Sequence, residues 1–294
     1  MRVHLLDGTY ELFRHHFAVP AHHNEAGAPV AATRGVLGSV VGLLESGVSH
    51  LGVATDHVIE SFRNDLYPGY KTSAGMPPEL LAQFGLLEVA LTAMGVVVWP
   101  MVEFEADDAL AAMAAIAAAD DRVEQVQVMT PDKDLAQCVV DGRVVQVDRR
   151  KGGTTFDEAA ILDRYGVPPE SIPDWLALVG DSADGFPGLP GWGAKSAAAV
   201  LRRFGHLEEI PVDARRWDGC NVRNGGSLAA TLVDHLPDAV LFRTLATLRR
   251  DAPVSTVDDL HWRAPTDLFA EMAEQVDAPN LVSRVEVLAA KRSQ

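Results

Sequence analysis

Val-Glu-Gln-Val-Gln-Val-Met-Thr-Pro-Asp-Lys-Asp, residues 123 to 134, is a strand-like apolar run that breaks on two carboxylates, Asp132 and Asp134. The same pattern occurs twice upstream: Arg2 to Leu6 reads as a strand ending at Asp7, and Leu51 to Thr55 as a strand ending at Asp56. Gly95 to Trp99 and Val144 to Val147 read as further short strands. Between the strands lie helical stretches, Arg34 to Leu44 with helical spacing of its apolar residues and the Ala-rich run Ala106 to Ala119. Strands alternating with helices predict an α/β fold, a mostly parallel central sheet flanked by helices, which takes its ligands beyond the carboxyl ends of the strands. Asp7, Asp56 and Asp132 all fall at that edge. Glu105, Asp107 and Asp108 fall at the start of a helix, where the macrodipole favours negative charge.

The character changes near Gly166. Pro168, Pro169 and Pro173 mark a boundary, which divides the chain into a catalytic α/β domain over 1–165 and a helical region over 166–294. Ser171 reads as the N-cap of a helix spanning Asp174 to Val179 that delivers Gly180, Asp181 and Asp184. Gly-Phe-Pro-Gly-Leu-Pro-Gly-Trp-Gly-Ala-Lys-Ser-Ala, residues 185 to 197, then leads into an apolar helix to Phe204, so a turn at Gly191 to Gly193 joins two helices. Backbone amides at such a turn suit a nucleic-acid phosphate without reading sequence. Helices are also expected around Leu228 to Leu236, Ala239 to Arg249 and Leu268 to Val276.

The chain has 294 residues, 48% of them hydrophobic, enough for one large or two ordinary domains with a real core. Cys138 and Cys220 are the only cysteines, which excludes a disulfide framework and a Cys-based zinc site and fits a reducing cytoplasm. The first residues show no secretory pattern, and Ala109 to Ala119 is too short to span a bilayer. A net charge of −16 looks adverse to nucleic-acid binding. Yet nine of the 41 acids belong to the groups named above, and the remaining 32 stand against 25 Lys and Arg. Two divalent ions would narrow the gap further, so local charge decides the matter.

Carboxylates gathered at one edge repel one another and raise each other's proton affinity unless cations are present. Oxygen-rich sites of this kind suit Mg2+ or Mn2+, and a pair of such ions supports phosphodiester hydrolysis.

Five motifs carry a family resemblance. Leu-Leu-Asp-Gly-Thr-Tyr-Glu-Leu-Phe-Arg (5–14), Phe-Arg-Asn-Asp-Leu-Tyr-Pro-Gly-Tyr-Lys (62–71), Phe-Glu-Ala-Asp-Asp (104–108), Pro-Asp-Lys-Asp-Leu-Ala-Gln (131–137) and Gly-Asp-Ser-Ala-Asp-Gly-Phe-Pro-Gly (180–188) occur in this order. In that order and spacing they resemble the bacterial 5′ nuclease family, which contains the 5′-to-3′ exonuclease domain of DNA polymerase I and the stand-alone flap endonucleases. The resemblance covers roughly residues 1 to 260 and implies a PIN-like or resolvase-like fold. With no polymerase domain in the sequence, a free-standing nuclease is expected. It implies that Asp7, Asp56, Glu105 and Asp107, with Asp108 beside them, surround a first metal, and that Asp132, Asp134, Asp181 and Asp184 surround a second. Arg63 and Lys71 match basic residues at the base of an arch, residues 60 to about 95, and would contact the scissile phosphate. Arg14 and Lys133 match further basic positions near the cleft. Gly188, Gly191, Gly193 and Lys195 match a helix-hairpin-helix that grips duplex DNA, where some relatives also bind K+. Relatives usually carry Gly at the position of Pro131 and Asn at that of Gly185, and the stretch after Lys71 lacks an arginine common among them.

The implied function is structure-directed hydrolysis of DNA with a 5′ flap, a nick or a free 5′ end, and of RNA primers in hybrids, by a monomer in the cytoplasm without a membrane partner. Two alternatives stay open. A DNA-structure binding protein without catalysis would lack ligands, and none is missing; a PIN-like RNase would lack residues 185 to 260. Blander readings apply elsewhere. Arg149 to Gly153 reads as a solvated hairpin turn, His15-His16 and His22-His23 do not form helical metal pairs, and Ala109 to Ala119 is a core helix of small residues. His57, beside Asp56, has no assigned purpose.

Overall fold

The computed structural model describes residues 1–292; Ser293 and Gln294, the end of the expected helical region, lie outside the described residues, as does the Lys151 side chain within the basic run. In chain order the elements are β1 (Arg2–Asp7), α1 (Gly8–Ala18), α2 (Ala31–Glu45), β2 (His50–Asp56), α3 (Phe62–Leu66), α4 (Pro78–Leu81), α5 (Phe84–Ala93), β3 (Val97–Met101), α6 (Ala106–Ala118) and β4 (Gln125–Met129). There follow β5 (Val144–Asp148), β6 (Thr154–Phe156), α7 (Glu158–Tyr165), α8 (Ile172–Val179), α9 (Ala194–Phe204), α10 (Gly225–Asp234), α11 (Leu236–Ala246), α12 (Phe269–Gln275) and α13 (Asn280–Arg292). The chain forms two compact units, one of residues 1–59, 73–130 and 249–294, the other of 60–72 and 131–248.

In the first unit, β3, β2, β1 and β4 lie side by side in that order, all parallel. Leu5 of β1 sits opposite Gly52 of β2 and Val128 of β4. Val3, Leu5 and Leu6 are all fully buried, as expected of a parallel strand covered on both faces. Helix α6 packs against all four strands, and α5 against β2 and β3. Small side chains let α6 approach closely: Ala109, Ala111, Ala112 and Ala114 are at most 1% exposed. Leu110, equally buried among them, would cost about 2–5 kcal/mol if cut to Ala.

Residues 84–93, part of the stretch read as an arch, form helix α5, with Leu87, Ala90 and Leu91 buried. Expected elements otherwise differ from the observed ones by a few residues, while helices α1, α3, α4 and α7 were not expected from the sequence. Strand β3 starts at Val97 because Gly95 takes a turn conformation, φ +85°, at the end of α5. Helix α13 carries only scattered apolar residues and has no counterpart in the sequence reading; Leu281 and Val285 fix it.

The second unit holds the antiparallel pair β5 and β6, joined by residues 149–153 as the hairpin reading expected. Helix α8 packs against α9 and α11, around a core that includes Trp175, Leu176, Phe186, Trp192 and Phe242. Phe186 stacks on Phe242 with ring centroids 5.6 Å apart. Ser171 does take the N-cap position of α8, but its side chain makes no capping bond: its hydroxyl donates to Gly205 O at 2.8 Å, and α8 begins at Ile172, before Asp174. No helix among the described residues is long and apolar enough to cross a membrane.

Candidate metal centre and nucleic-acid interface

Each unit presents its own set of acids. In the first, Asp7 ends β1 and caps α1, accepting from Tyr10 N at 2.8 Å and from the Thr130 hydroxyl at 2.9 Å. Asp56 ends β2; its carboxylate accepts from Ala106 N at 2.7 Å, and its amide donates to the Thr9 hydroxyl at 2.8 Å. Glu105 and Asp108 form a reciprocal capping box at the start of α6. Asp108, fully buried, also accepts from Arg249 N at 2.8 Å, so both its oxygens serve backbone amides. Asp107 is half-buried in the same turn. These anions are thus supported by helix amino termini. Arg14, read as a DNA contact, pairs with the buried Glu11 on its own helix.

His57 gains a place. Its Nδ1 lies 2.7 Å from Glu88 Oε2, and Glu88 Oε1 accepts from the Thr55 hydroxyl at 2.8 Å. Buried Glu88 on α5 therefore holds both neighbours of Asp56.

In the second unit one carboxylate oxygen from each of Asp134, Asp181 and Asp184 lies within 4.8 Å of the other two. Among the described residues no other three metal-capable side chains meet this closely, and the acids of the first unit do not. Asp134 Oδ1 is buried and accepts no hydrogen bond. Burial first, then the charges of Asp132, Asp184 and Asp181, push the Asp134 carboxyl well above the usual carboxylate range, with Lys133 opposing them. Asp132 is exposed, its Oδ1 accepting from Asp134 N at 3.0 Å.

Two lysines serve this trio as counter-ions. Lys133 Nζ pairs with Asp181, and Lys71 Nζ lies 3.0 Å from Asp184 Oδ1. Burial works against the Lys133 ammonium, yet Asp134, Asp181 and Asp132 outweigh it and hold its proton more tightly than an ordinary lysine would. Arg63 is held at the end of α11. It is 1% exposed, with Nε 2.8 Å from Leu245 O, Nη2 3.3 Å from Thr247 O and its guanidinium over the Phe62 ring. The sequence reading placed Arg63 on a phosphate; in this conformation its guanidinium closes the carboxyl end of α11.

The loop from Gly180 to Gly193 is built on close backbone approach. Gly188, φ +69°, passes so near Gly180 that a Cβ would meet Gly180 N at 2.4 Å. Gly185, φ +89°, lies with its Cβ position 2.2 Å from Gly69 O, which leaves room only for glycine. Beyond it, Gly191, Gly193, Lys195 and Ser196 line a groove of about 750 Å3, whose other wall is residues 221–224. Asn221, Arg223 and Asn224 in that wall went unnoticed in the sequence, since nothing in their spacing marks them. Gln137 and Gln146, which bond the backbone of Asp134 and Asp132, were also missed.

Residues 2–166 match the 5′-3′ exonuclease N-terminal resolvase-like domain, and residues 167–267 match the 5′-3′ exonuclease C-terminal SAM fold. The chain is 34% identical to DNA polymerase I of Bacillus caldotenax over 268 residues, 88% of this chain and 29% of that protein. It is 33% identical to DNA polymerase I of Mycobacterium leprae over 270 residues, 90% of this chain and 28% of that one. The chain therefore spans under a third of the length of these curated relatives. It shares its fold with the zinc-bound T5 5′-exonuclease, at a TM-score of 0.66 and 16% identity over 100% of both chains. The fold is also that of the Rad2 catalytic core in complex with DNA substrate, at a TM-score of 0.63 and 16% identity over 98% of this chain and 92% of that one.

Proposed function

The chain belongs to the 5′-3′ exonuclease family, and from that membership we propose that it is a structure-directed 5′ nuclease that hydrolyses DNA phosphodiesters at a flap, a nick or a free 5′ end, RNA primers included. It would act as a monomer in the cytoplasm. The observation that carries the reading is the Asp134, Asp181 and Asp184 trio, in which a buried carboxylate oxygen lacks any hydrogen-bond donor. Hard, oxygen-only donors in this number suit Mg2+ or Mn2+. Asp134, Asp181 and Asp184, with Asp132 beside them, would hold one divalent ion; Asp7, Asp56, Glu105 and Asp107 would hold another, with Asp108 shaping the turn that presents Glu105. When bound, such ions lower the proton affinity of water and neutralise charge on the reacting phosphate and the leaving 3′ oxygen.

The chain's own residues do the rest. Lys71 and Lys133, paired with acids in the free protein, are the cations that a divalent ion would release toward a phosphate. The groove lined by Gly191, Gly193 and Lys195 would take backbone phosphates of the duplex, with K+ as a candidate ion at the same hairpin. Gly188 would keep that hairpin in shape, Arg14 would lie near the path of the DNA, and Arg63, anchored at the end of α11, would contact the scissile phosphate.

The test is cleavage of 5′-flap DNA and of single-stranded RNA, each with Mg2+ and with chelator, by the wild type and by Asp132→Asn and Asp181→Asn. Flap cleavage that needs Mg2+ and falls by at least about a thousandfold in both variants is the expected result. Tight flap binding without cleavage, or cleavage of RNA alone, would overturn it in favour of a binding protein or an RNase respectively.

A further inference from the structure

Three successive carbonyls at the end of α11 are engaged from within the second unit. Arg63 donates to Leu245 O and Thr247 O, and Gln137 Nε2 donates to the intervening Ala246 O at 2.9 Å. The second proton of Gln137 Nε2 goes to Asp134 O, also at 2.9 Å, and Gln137 Oε1 accepts from Leu248 N at 3.0 Å. One amide thus uses two donors and an acceptor to tie the backbone of the buried aspartate to the helix end that also anchors Arg63. Its orientation is determined, because the flipped amide would set an oxygen against two carbonyls and an NH2 against an N–H. Residues 134–138 form a short 3₁₀ turn, whose internal hydrogen bonds are weak, so an external tether matters more there than in an α-helix. Gln146, fully buried on β5, grips the same turn at its start by donating to Asp132 O.

We propose that Gln137 is a positioning residue for the Asp134, Asp181 and Asp184 centre. It fixes where the Asp134 carboxylate stands by holding Asp134 O to the end of α11. The proposal rests on reading this trio as a divalent-metal centre. A ligand displaced by a fraction of an ångström loses affinity for a small, rigidly coordinated ion, and loss of an outer-shell partner typically weakens metal binding about 10–100-fold.

The experiment measures Mn2+ binding to the full chain by electron paramagnetic resonance, without DNA, for the wild type, Gln137→Met and Gln137→Asn. Met keeps the length and removes every donor; Asn keeps the amide on a stem too short to span its partners, and serves if Met does not fold. Expected are Mn2+ affinities weakened about 10–100-fold, beyond an unfolding temperature in chelator lowered by a few degrees through the lost hydrogen bonds, and flap cleavage that recovers as Mg2+ is raised. A purely structural residue would lower the unfolding temperature and leave Mn2+ affinity unchanged, and that result overturns the proposal. Failure of the wild type itself to bind Mn2+ would instead overturn the metal-centre reading beneath it.

Discussion

Asp134 is the residue at which burial and charge conflict most. Its folded-state pKa is raised, by burial and then by three neighbouring carboxylates, so the folded protein holds this proton more tightly than the unfolded chain does. The sign follows: this group favours folding below the ordinary aspartate pKa and costs stability as pH rises through the raised folded value. Without metal, the protein should therefore be less stable at neutral than at mildly acidic pH, as far as this group decides. Asp134→Asn removes the conflict, and should raise the unfolding temperature in chelator at neutral pH by a few degrees while abolishing most of the stabilisation given by Mg2+. Calorimetry with and without Mg2+ checks both; a lower unfolding temperature in chelator would contradict the account. Arg63 and Lys71 separate in the same way. Arg63→Leu strips two carbonyls of a buried charged donor and should cost about 2–4 kcal/mol in denaturant unfolding. Lys71→Met breaks a pair whose lysine is 28% exposed, and should leave stability within about 1 kcal/mol while slowing cleavage.

Elements were more legible than residues. Each strand that ends in Asp7 or Asp56, and the helix opened by Glu105, follows from local apolar patterning, because a buried parallel strand and an Ala-rich helix announce themselves within a few residues. What escaped depends on distant partners. Arg63 meets Leu245 across 182 residues of sequence, and no local signal announces that contact. Ser171 carried the right residue type for a cap, yet Gly205 O, 34 residues on, claims its hydroxyl. The glycine loop was legible as a turn but not in its division of labour. Gly188→Ala forces a side chain into left-handed backbone against Gly180, and should cost more than about 2 kcal/mol in unfolding. Gly193 has φ −130° and open space where a Cβ would go, so Gly193→Ala should leave stability within about 0.5 kcal/mol. Its methyl group would project where DNA is proposed to lie, and weaker flap binding by fluorescence anisotropy with unchanged unfolding is the expected result; the reverse pattern would mean that the groove has been misread.

At the scale of the molecule, a net charge of −16 has to be reconciled with a polyanionic substrate. The acids are not spread evenly: residues 195–223, which include both charged residues of the groove, carry six basic side chains against four acidic ones. Long-range repulsion is screened beyond about 10 Å at 0.1 M salt, so what the DNA meets at contact is local charge. Near the hairpin that charge favours binding, whereas at the acidic sets it opposes binding until divalent ions arrive. Flap affinity should therefore depend on a divalent ion even when no cleavage takes place. With Ca2+ in place of Mg2+, anisotropy should give a dissociation constant at least about tenfold below that in chelator, a difference of about 1.4 kcal/mol. Lys195→Ala should weaken binding under both conditions and reduce the dependence of log affinity on log salt by about one unit, as loss of one phosphate contact requires. Asp181→Asn should bind about equally with Ca2+ and with chelator, because one of the charges the ion offsets has gone. Equal affinity of the wild type under the two conditions would mean that the acids lie outside the field the DNA experiences, and would detach the carboxylate sets from substrate binding.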